Sequence, residues 1–301
     1  MVLKHRDLLL EGSPVSVVTG GAQDGEPLLL IPGGPGYGVS SMELEADLLS
    51  SHFKIVMIDP PGSGATAPPP DEFWYTPENY AEFYARVCAK LGITRFHVLG
   101  ASFGGTVGLV LAAIRPRAVL DLVCVSTRVL GSELSSTPQV EQEIDRALLR
   151  HCQKAWYPEA RRVFDDYTKL LLSASTPLDA QKLNDAILPL YFFDPDSPSV
   201  KRHMLNLSSE PINLQAMKAW ESGIYQRIDI RSFAREVECR VLFICGEFDW
   251  MSGPISTRES AKCVANSNVE VIANSGHLPI IEQPERFQEV LGQWYAFDTK
   301  R

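Results

Sequence analysis

Short apolar, β-rich runs recur along this chain, and between them lie segments with helical periodicity. The runs fall at 15–18, 28–31, 54–58, 96–99, 122–125, 241–245 and 269–272. Ser40-Ser41-Met42-Glu43 reads as a capping box that opens a helix to Leu49. Thr76-Pro77 supplies an N-cap and an N1 proline for a helix to Leu91. After Gly105, the residues Val107, Val110, Leu111 and Ile114 share one helical face, and Pro116 stops that helix. Ser256 to Glu259 reads as a second capping box, and Pro284 opens the last helix. Strands alternating with helices predict an α/β architecture: a mostly parallel central sheet with helices on both faces.

The alternation breaks between Val129 and about Ala234. Helical patterns follow Thr137-Pro138, Tyr157-Pro158, Thr176-Pro177 and Asn213, with no convincing strand among them. The expected organisation is one core, 1–129 with 235–301, and a helical cap, 130–234, inserted after the sixth strand as a lid. The chain of 301 residues is long enough for that core plus the inserted unit. No internal repeat or low-complexity segment interrupts it.

The pattern Gly100-Ala101-Ser102-Phe103-Gly104-Gly105 stands directly after the run ending at Leu99. This is G-x-S-x-G where a strand turns into a helix, and that turn lifts one hydroxyl out of the sheet edge. Alone, such a pattern arises by chance in roughly one chain of this length in ten. Its weight comes from what the chemistry requires around it. A serine hydroxyl is a poor nucleophile at neutral pH and needs a base, which in turn needs an orienting acid.

Of six histidines, His277 sits in Asn274-Ser275-Gly276-His277-Leu278-Pro279, a loop at the carboxyl end of the last strand, where sites of open α/β sheets collect. His97 lies inside the strand before Ser102 and points into the core or the opposite sheet face. Asp249, in Gly246-Glu247-Phe248-Asp249-Trp250, ends the preceding strand, and no acid follows the strand ending near Ser126. Ser102, Asp249 and His277 are therefore the catalytic candidates. For the oxyanion, the Phe103 backbone N–H opens the helix after the serine. A second donor is expected from Ile31-Pro32-Gly33-Gly34-Pro35-Gly36, with Gly34 the choice and Gly33 the fallback. Neither a dinucleotide fingerprint nor a phosphate-binding loop occurs.

These features, in this order, make the chain resemble the α/β-hydrolase fold family over nearly its whole length. Gly33-Gly34-Pro35-Gly36 together with Gly100 to Gly105 resembles the proline iminopeptidase branch, and Asp59-Pro60-Pro61-Gly62-Ser63-Gly64 is similar to that branch's D-Q-R-G-x-G. The resemblance implies a helical cap, a Ser-His-Asp triad, no cofactor or metal, and hydrolysis of acyl bonds. The chain also departs from the branch. Pro32 replaces a histidine, Pro60-Pro61 replace Gln-Arg, Phe103 replaces a tryptophan, and Trp250 stands where some of these peptidases hold the substrate amine with a carboxylate. Glu210 or Glu221 in the cap could supply that carboxylate.

The expected function is hydrolysis of a carboxylic ester, lactone or aminoacyl bond of a small apolar substrate or short peptide. Trp220, Tyr225, Trp250 and Phe103 are expected to wall the pocket. An aminopeptidase, a carbon–carbon bond hydrolase and a non-catalytic receptor on the same fold are the alternatives. A net charge of −9 argues against nucleic acid as a partner. The longest apolar stretch, 107–114, is too short to span a membrane. Six scattered cysteines and a short apolar N-terminus without signal-peptide form fit free thiols in the cytoplasm.

Overall fold

The computed structural model describes residues 3–129, 137–208, 211–224 and 229–297. Eight strands form one sheet: β1 (Lys4–Leu10), β2 (Ser13–Gly21), β3 (Pro27–Ile31), β4 (Lys54–Ile58), β5 (Phe96–Ala101), β6 (Val119–Val125), β7 (Arg240–Gly246) and β8 (Ser267–Ile272). Their spatial order is β1-β2-β4-β3-β5-β6-β7-β8. The β1–β2 and β2–β4 pairs are antiparallel, and every later pair is parallel. The expected α/β sheet is present. β1 was not legible as an apolar run because it is an edge strand with only Leu8 buried, and it carries Lys4, His5, Arg6 and Asp7.

The helices between the core strands are α1 (Glu43–Leu49), α2 (Pro77–Lys90) and α3 (Phe103–Ile114). Alternate residues of each parallel strand feed two apolar clusters, one per face. Leu29, Ile31, Phe96 and Val98 pack with Tyr84, Val87 and Val110 of α2 and α3. Leu28, Leu30, Leu99 and Ala101 pack with Ala46 and Leu49 of α1.

Between β6 and β7 every described element is helical: α4 (Pro138–Leu149), α5 (Tyr157–Asp165), α6 (Tyr167–Ser173), α7 (Pro177–Ile187), α8 (Pro198–Ser208), α9 (Leu214–Ala219), a wide turn at Trp220–Ile224, and α10 (Arg231–Arg235). Their starts follow the local signals. Thr137 and Thr176 cap α4 and α7, the latter in a reciprocal box with Asp179, and Asn213 caps α9. After β7 come α11 (Pro254–Ala261), α12 (Pro279–Glu282) and α13 (Pro284–Tyr295).

Two expected capping boxes are not formed. A short 3₁₀ turn at Val39–Met42 precedes α1, so Ser40 lies inside that turn and Met42 takes the N-cap position with no side-chain cap. At the second, Pro254 already starts α11, so Ser256 lies inside the helix. All six cysteines are free thiols. Among the described residues no helix is long and apolar enough to cross a membrane.

Candidate active site

Ser102 occupies the single residue between β5 and α3, with φ 51° and ψ −117°. A side-chain-bearing residue adopts that conformation only when the surroundings impose it. Here its N–H donates to Val125 O at 2.7 Å, and its carbonyl accepts from the Thr127 hydroxyl at 3.0 Å. The flanking glycines allow the turn to close. A Cβ on Gly100 would lie 2.3 Å from Gly104 O, and one on Gly104 would lie 2.2 Å from Ile31 O. Phe103 is the first residue of α3, so its N–H has no acceptor within the helix.

His277 sits in the loop between β8 and α12 and is buried. Its Nδ1–H donates to Asp249 Oδ1 and Oδ2 at 3.0 and 2.9 Å. A carboxylate can only accept, so this contact fixes the tautomer and leaves Nε2 with a free lone pair. Asp249 is fully buried, and its Oδ1 also accepts the N–H groups of Met251 and Ser252 at 2.9 and 3.1 Å. Burial pushes this carboxyl up, but His277 and the two N–H groups outweigh it and hold the carboxyl below its ordinary range.

A cavity of about 180 Å³ lies at the carboxyl ends of the strands, and Ser102, His277, Gly33 and Gly34 all line it. The structure thus brings together the expected serine, base and acid with the glycine loop. Gly34 has φ +120°, open to glycine alone. Trp220 and Glu221 also line the cavity, and the Glu221 carboxylate accepts from the Thr168 hydroxyl at 2.5 Å. Burial pushes the Glu221 carboxyl up, and that hydrogen bond offsets part of the rise.

Two expected wall residues stand elsewhere. Trp250 packs behind the cavity, edge-on to Phe164 and Tyr191 with centroids at 4.7 and 5.1 Å. The Phe103 ring turns under the glycine loop against Tyr80 and Trp220. Both are large apolar side chains that find a complete packing partner away from the opening. Tyr225 and Glu210 lie outside the described residues.

Three further residues position the site and were not singled out in the sequence. Glu282 accepts Gly276 N–H at 2.6 Å and, through its other oxygen, Phe193 and Asp194 N–H at 2.6 and 3.0 Å. Ser126 donates its hydroxyl to His277 O at 2.7 Å. Asp59 accepts Val39 N–H at 3.0 Å and Ala65 N–H at 3.2 Å, tying the 59–65 loop to the segment after the glycine loop. The only sequence signal for Asp59 was its family-like segment. Glu282 had none, because a helix-end glutamate is ordinarily a solvated one. No cluster of His, Cys, Asp or Glu fit to hold a metal occurs among the described residues.

The sequence profile of the α/β hydrolase fold matches residues 26–284. A proline iminopeptidase of Lactobacillus delbrueckii subsp. lactis is 25% identical over 297 residues, covering 92% of each chain. Among solved structures, a proline iminopeptidase of Mycobacterium smegmatis superposes with a TM-score of 0.72 at 19% identity, covering 97% of this chain and 98% of the other. An enol-lactonase of Burkholderia xenovorans LB400 does so with 0.69 at 18% identity, over 97% and 100%. With a strained serine, a carboxylate-bound histidine and a glycine loop around one cavity, and with the family profile spanning most of its length, this chain belongs to the α/β-hydrolase fold family and is a hydrolase resembling the proline iminopeptidase branch.

Proposed function

We propose that the protein is a serine hydrolase that cleaves a carboxylic ester, lactone or aminoacyl bond of a small, largely apolar substrate. The observation that carries this reading is that Ser102 lines one cavity with His277, whose Nδ1 is held by the buried Asp249 carboxylate. In the proposed mechanism His277 Nε2 takes the Ser102 hydroxyl proton as Oγ attacks the acyl carbon. Asp249 holds the ring and stabilises its cationic form. The Phe103 N–H and one from Gly34, or Gly33, receive the developing oxyanion. The imidazolium then protonates the leaving group. Water, deprotonated by the same nitrogen, releases the acid and restores Ser102.

The wall favours uncharged acyl groups. Leu171, Ile187, Leu188, Leu207, Met217 and Ile280 contribute most of it, and no lysine or arginine lines it among the described residues. A carboxylate-bearing acyl chain would be left without a counter-ion. The cap helices between β6 and β7 serve as the lid that closes this wall. A second reading, an aminopeptidase of the proline iminopeptidase type, is favoured by Glu221, a carboxyl in the cap that faces the cavity and could pair with a free amine.

Ser102→Ala should abolish turnover of p-nitrophenyl esters while circular dichroism stays unchanged, and a fluorophosphonate should label the wild type at Ser102 alone. Retained turnover in the variant would refute the assignment. Faster cleavage of prolyl naphthylamide than of short p-nitrophenyl esters would put the aminopeptidase reading first.

A further inference from the structure

The cavity wall draws on several apolar clusters. Met42, Leu188, Leu207 and Ile280 belong to the cluster built on α1 and the sheet. Leu171 and Met217, with Tyr37 and Tyr167 against them, belong to a cap cluster. Ser102 and His277 line the same space. Two carboxyls line the cavity. Glu221 is in the helical segment between β6 and β7 and accepts from the Thr168 hydroxyl. Glu45 is on α1.

Glu45 is out of place by the ordinary logic of an amphipathic helix. In Glu43–Leu49 it shares the buried face with Ala46 and Leu49, and it is only 4% exposed. Ser41, Met42, His203 and Leu207 line the same cavity. Among the described residues its carboxyl has no cation and no hydrogen-bond partner beyond its own backbone N–H. Burial pushes that carboxyl up to about 7, so a large part of the population is protonated at neutral pH and offers an O–H donor. His203 on α8 lines the same cavity, and burial alone pushes its imidazole down. A neutral imidazole presents one donor and one acceptor. A buried polar group without a partner costs stability unless something completes it.

We propose that Glu45, with His203 lining the same cavity, forms a specificity subsite that hydrogen-bonds a neutral oxygen function, a carbonyl or hydroxyl, on the substrate chain. The proposal rests on the reading of Ser102 as the nucleophile. A carboxylate on that chain would meet no counter-charge, since the lining has two carboxyls and no lysine or arginine among the described residues. An aliphatic chain would leave both polar groups unpaired. A carbonyl accepts a hydrogen bond from the Glu45 O–H or the His203 N–H, and a hydroxyl can also donate one.

The test uses the full chain and two ester series, one varied on the acyl side and one on the alcohol side. In each, an oxo or hydroxy group is stepped along the chain and compared with the plain alkyl ester and with an amino-substituted one. The readout is the ratio of kcat/KM between oxygenated and alkyl esters within one protein, which cancels differences in folded fraction. At the matching chain position the wild type should prefer the oxygenated ester by about ten- to a hundredfold. Glu45→Gln, which still donates and accepts, should keep most of that ratio. Glu45→Leu should bring it to within about twofold of unity, and His203→Leu should lower it in part. No oxygenated preference at any position, a ratio unchanged in Glu45→Leu, or a preference for the amino-substituted ester that Glu45→Gln abolishes, would each overturn the proposal. Failure of the fluorophosphonate to label Ser102 would instead strike the hydrolase reading on which it stands.

Discussion

Gly104→Ala adds one methyl group at the point where the serine turn meets the glycine loop. The new Cβ would stand 2.2 Å from Ile31 O, 2.6 Å from Pro32 O and 2.8 Å from Ile31 C. All three are backbone atoms, so no rotamer change relieves the contact. The nearest approach must open from 2.2 Å to about 3.0 Å, the shortest that a real Cβ tolerates. That separation divides the two halves of the proposed oxyanion site, because Phe103 N–H rides on α3 while Gly33 and Gly34 follow Pro32. Overpacking of this kind costs about 1–3 kcal/mol of stability. A misplacement approaching 1 Å at a reacting centre costs about a hundredfold in rate. The expected outcome is therefore a folded protein whose kcat/KM on p-nitrophenyl acetate, per titrated serine, falls about a hundredfold. Gly92→Ala is the control. It has φ +75° and nothing within 4 Å of a new Cβ, so it should lose about 1 kcal/mol from backbone strain with unchanged kcat/KM. A Gly104→Ala protein that retains kcat/KM within twofold of the wild type would refute the close-approach argument.

Asp249→Asn keeps an oxygen for the Met251 and Ser252 N–H groups but turns an N–H₂ or a neutral oxygen towards His277 Nδ1. It should lower kcat by about 10³–10⁴-fold with little loss of stability, as stopped-flow turnover and a thermal melt would show. Glu282→Gln can satisfy Phe193 and Asp194 but then faces Gly276 N–H with a donor. A loss of about 1.5–3 kcal/mol in urea denaturation is expected, and it should come with slower fluorophosphonate labelling of Ser102. His97 in β5 lies between Glu26, 3.0 Å from Nε2, and Asp121, whose Oδ1 is 3.0 Å from Nδ1 in an ion-pair contact outside hydrogen-bond geometry. Burial pushes this imidazole down, but the two carboxylates outweigh it and leave it above its ordinary value. A base raised in the folded state contributes stability that is full below its unfolded pKa, about 6.5. That contribution is lost as pH rises through the folded value. The wild type's advantage over His97→Gln should thus be largest near pH 5.5 and shrink by pH 8.5, and an advantage constant across that range would exclude the clamp.

The parallel sheet was legible because its central strands are buried on both faces and read as apolar runs. β1 was not, because an edge strand keeps its charges. The order Ser102, Asp249, His277 was legible for a different reason. Each residue follows a strand, and the carboxyl ends of parallel strands meet on one side of the sheet. What sequence periodicity does not encode is which large side chain faces a void and which faces another side chain. Trp250 and Phe103 looked like pocket walls and proved to be packing, with Tyr191 and Tyr80 as their partners. Glu45 was not singled out in the sequence. It faces inward because Ala46 and Leu49 fix the rotation of α1, and that rotation is set by tertiary contact.

The same contacts constrain how the cap can act. Two of its fastenings to the core fall on loops of the candidate site. Tyr191 O accepts His277 N–H at 2.7 Å, while Glu282 beside that loop holds Phe193 and Asp194. On the other side, Asn213 N–H donates to Gly36 O at 2.9 Å and its amide donates to Pro61 O at 3.1 Å. A rigid cap lifting off the sheet edge would break a backbone hydrogen bond at the histidine itself and another at the glycine loop. Both fastenings are buried or half-buried, where an unmade bond costs about 1–3 kcal/mol. Opening by whole-cap rotation would therefore displace the His277 loop and the glycine loop, the proposed base and oxyanion donors, each time substrate entered. The cap helices accordingly form part of the frame that positions these groups, and any motion that admits substrate must leave the Tyr191–Asp194 and Asn213 contacts in place.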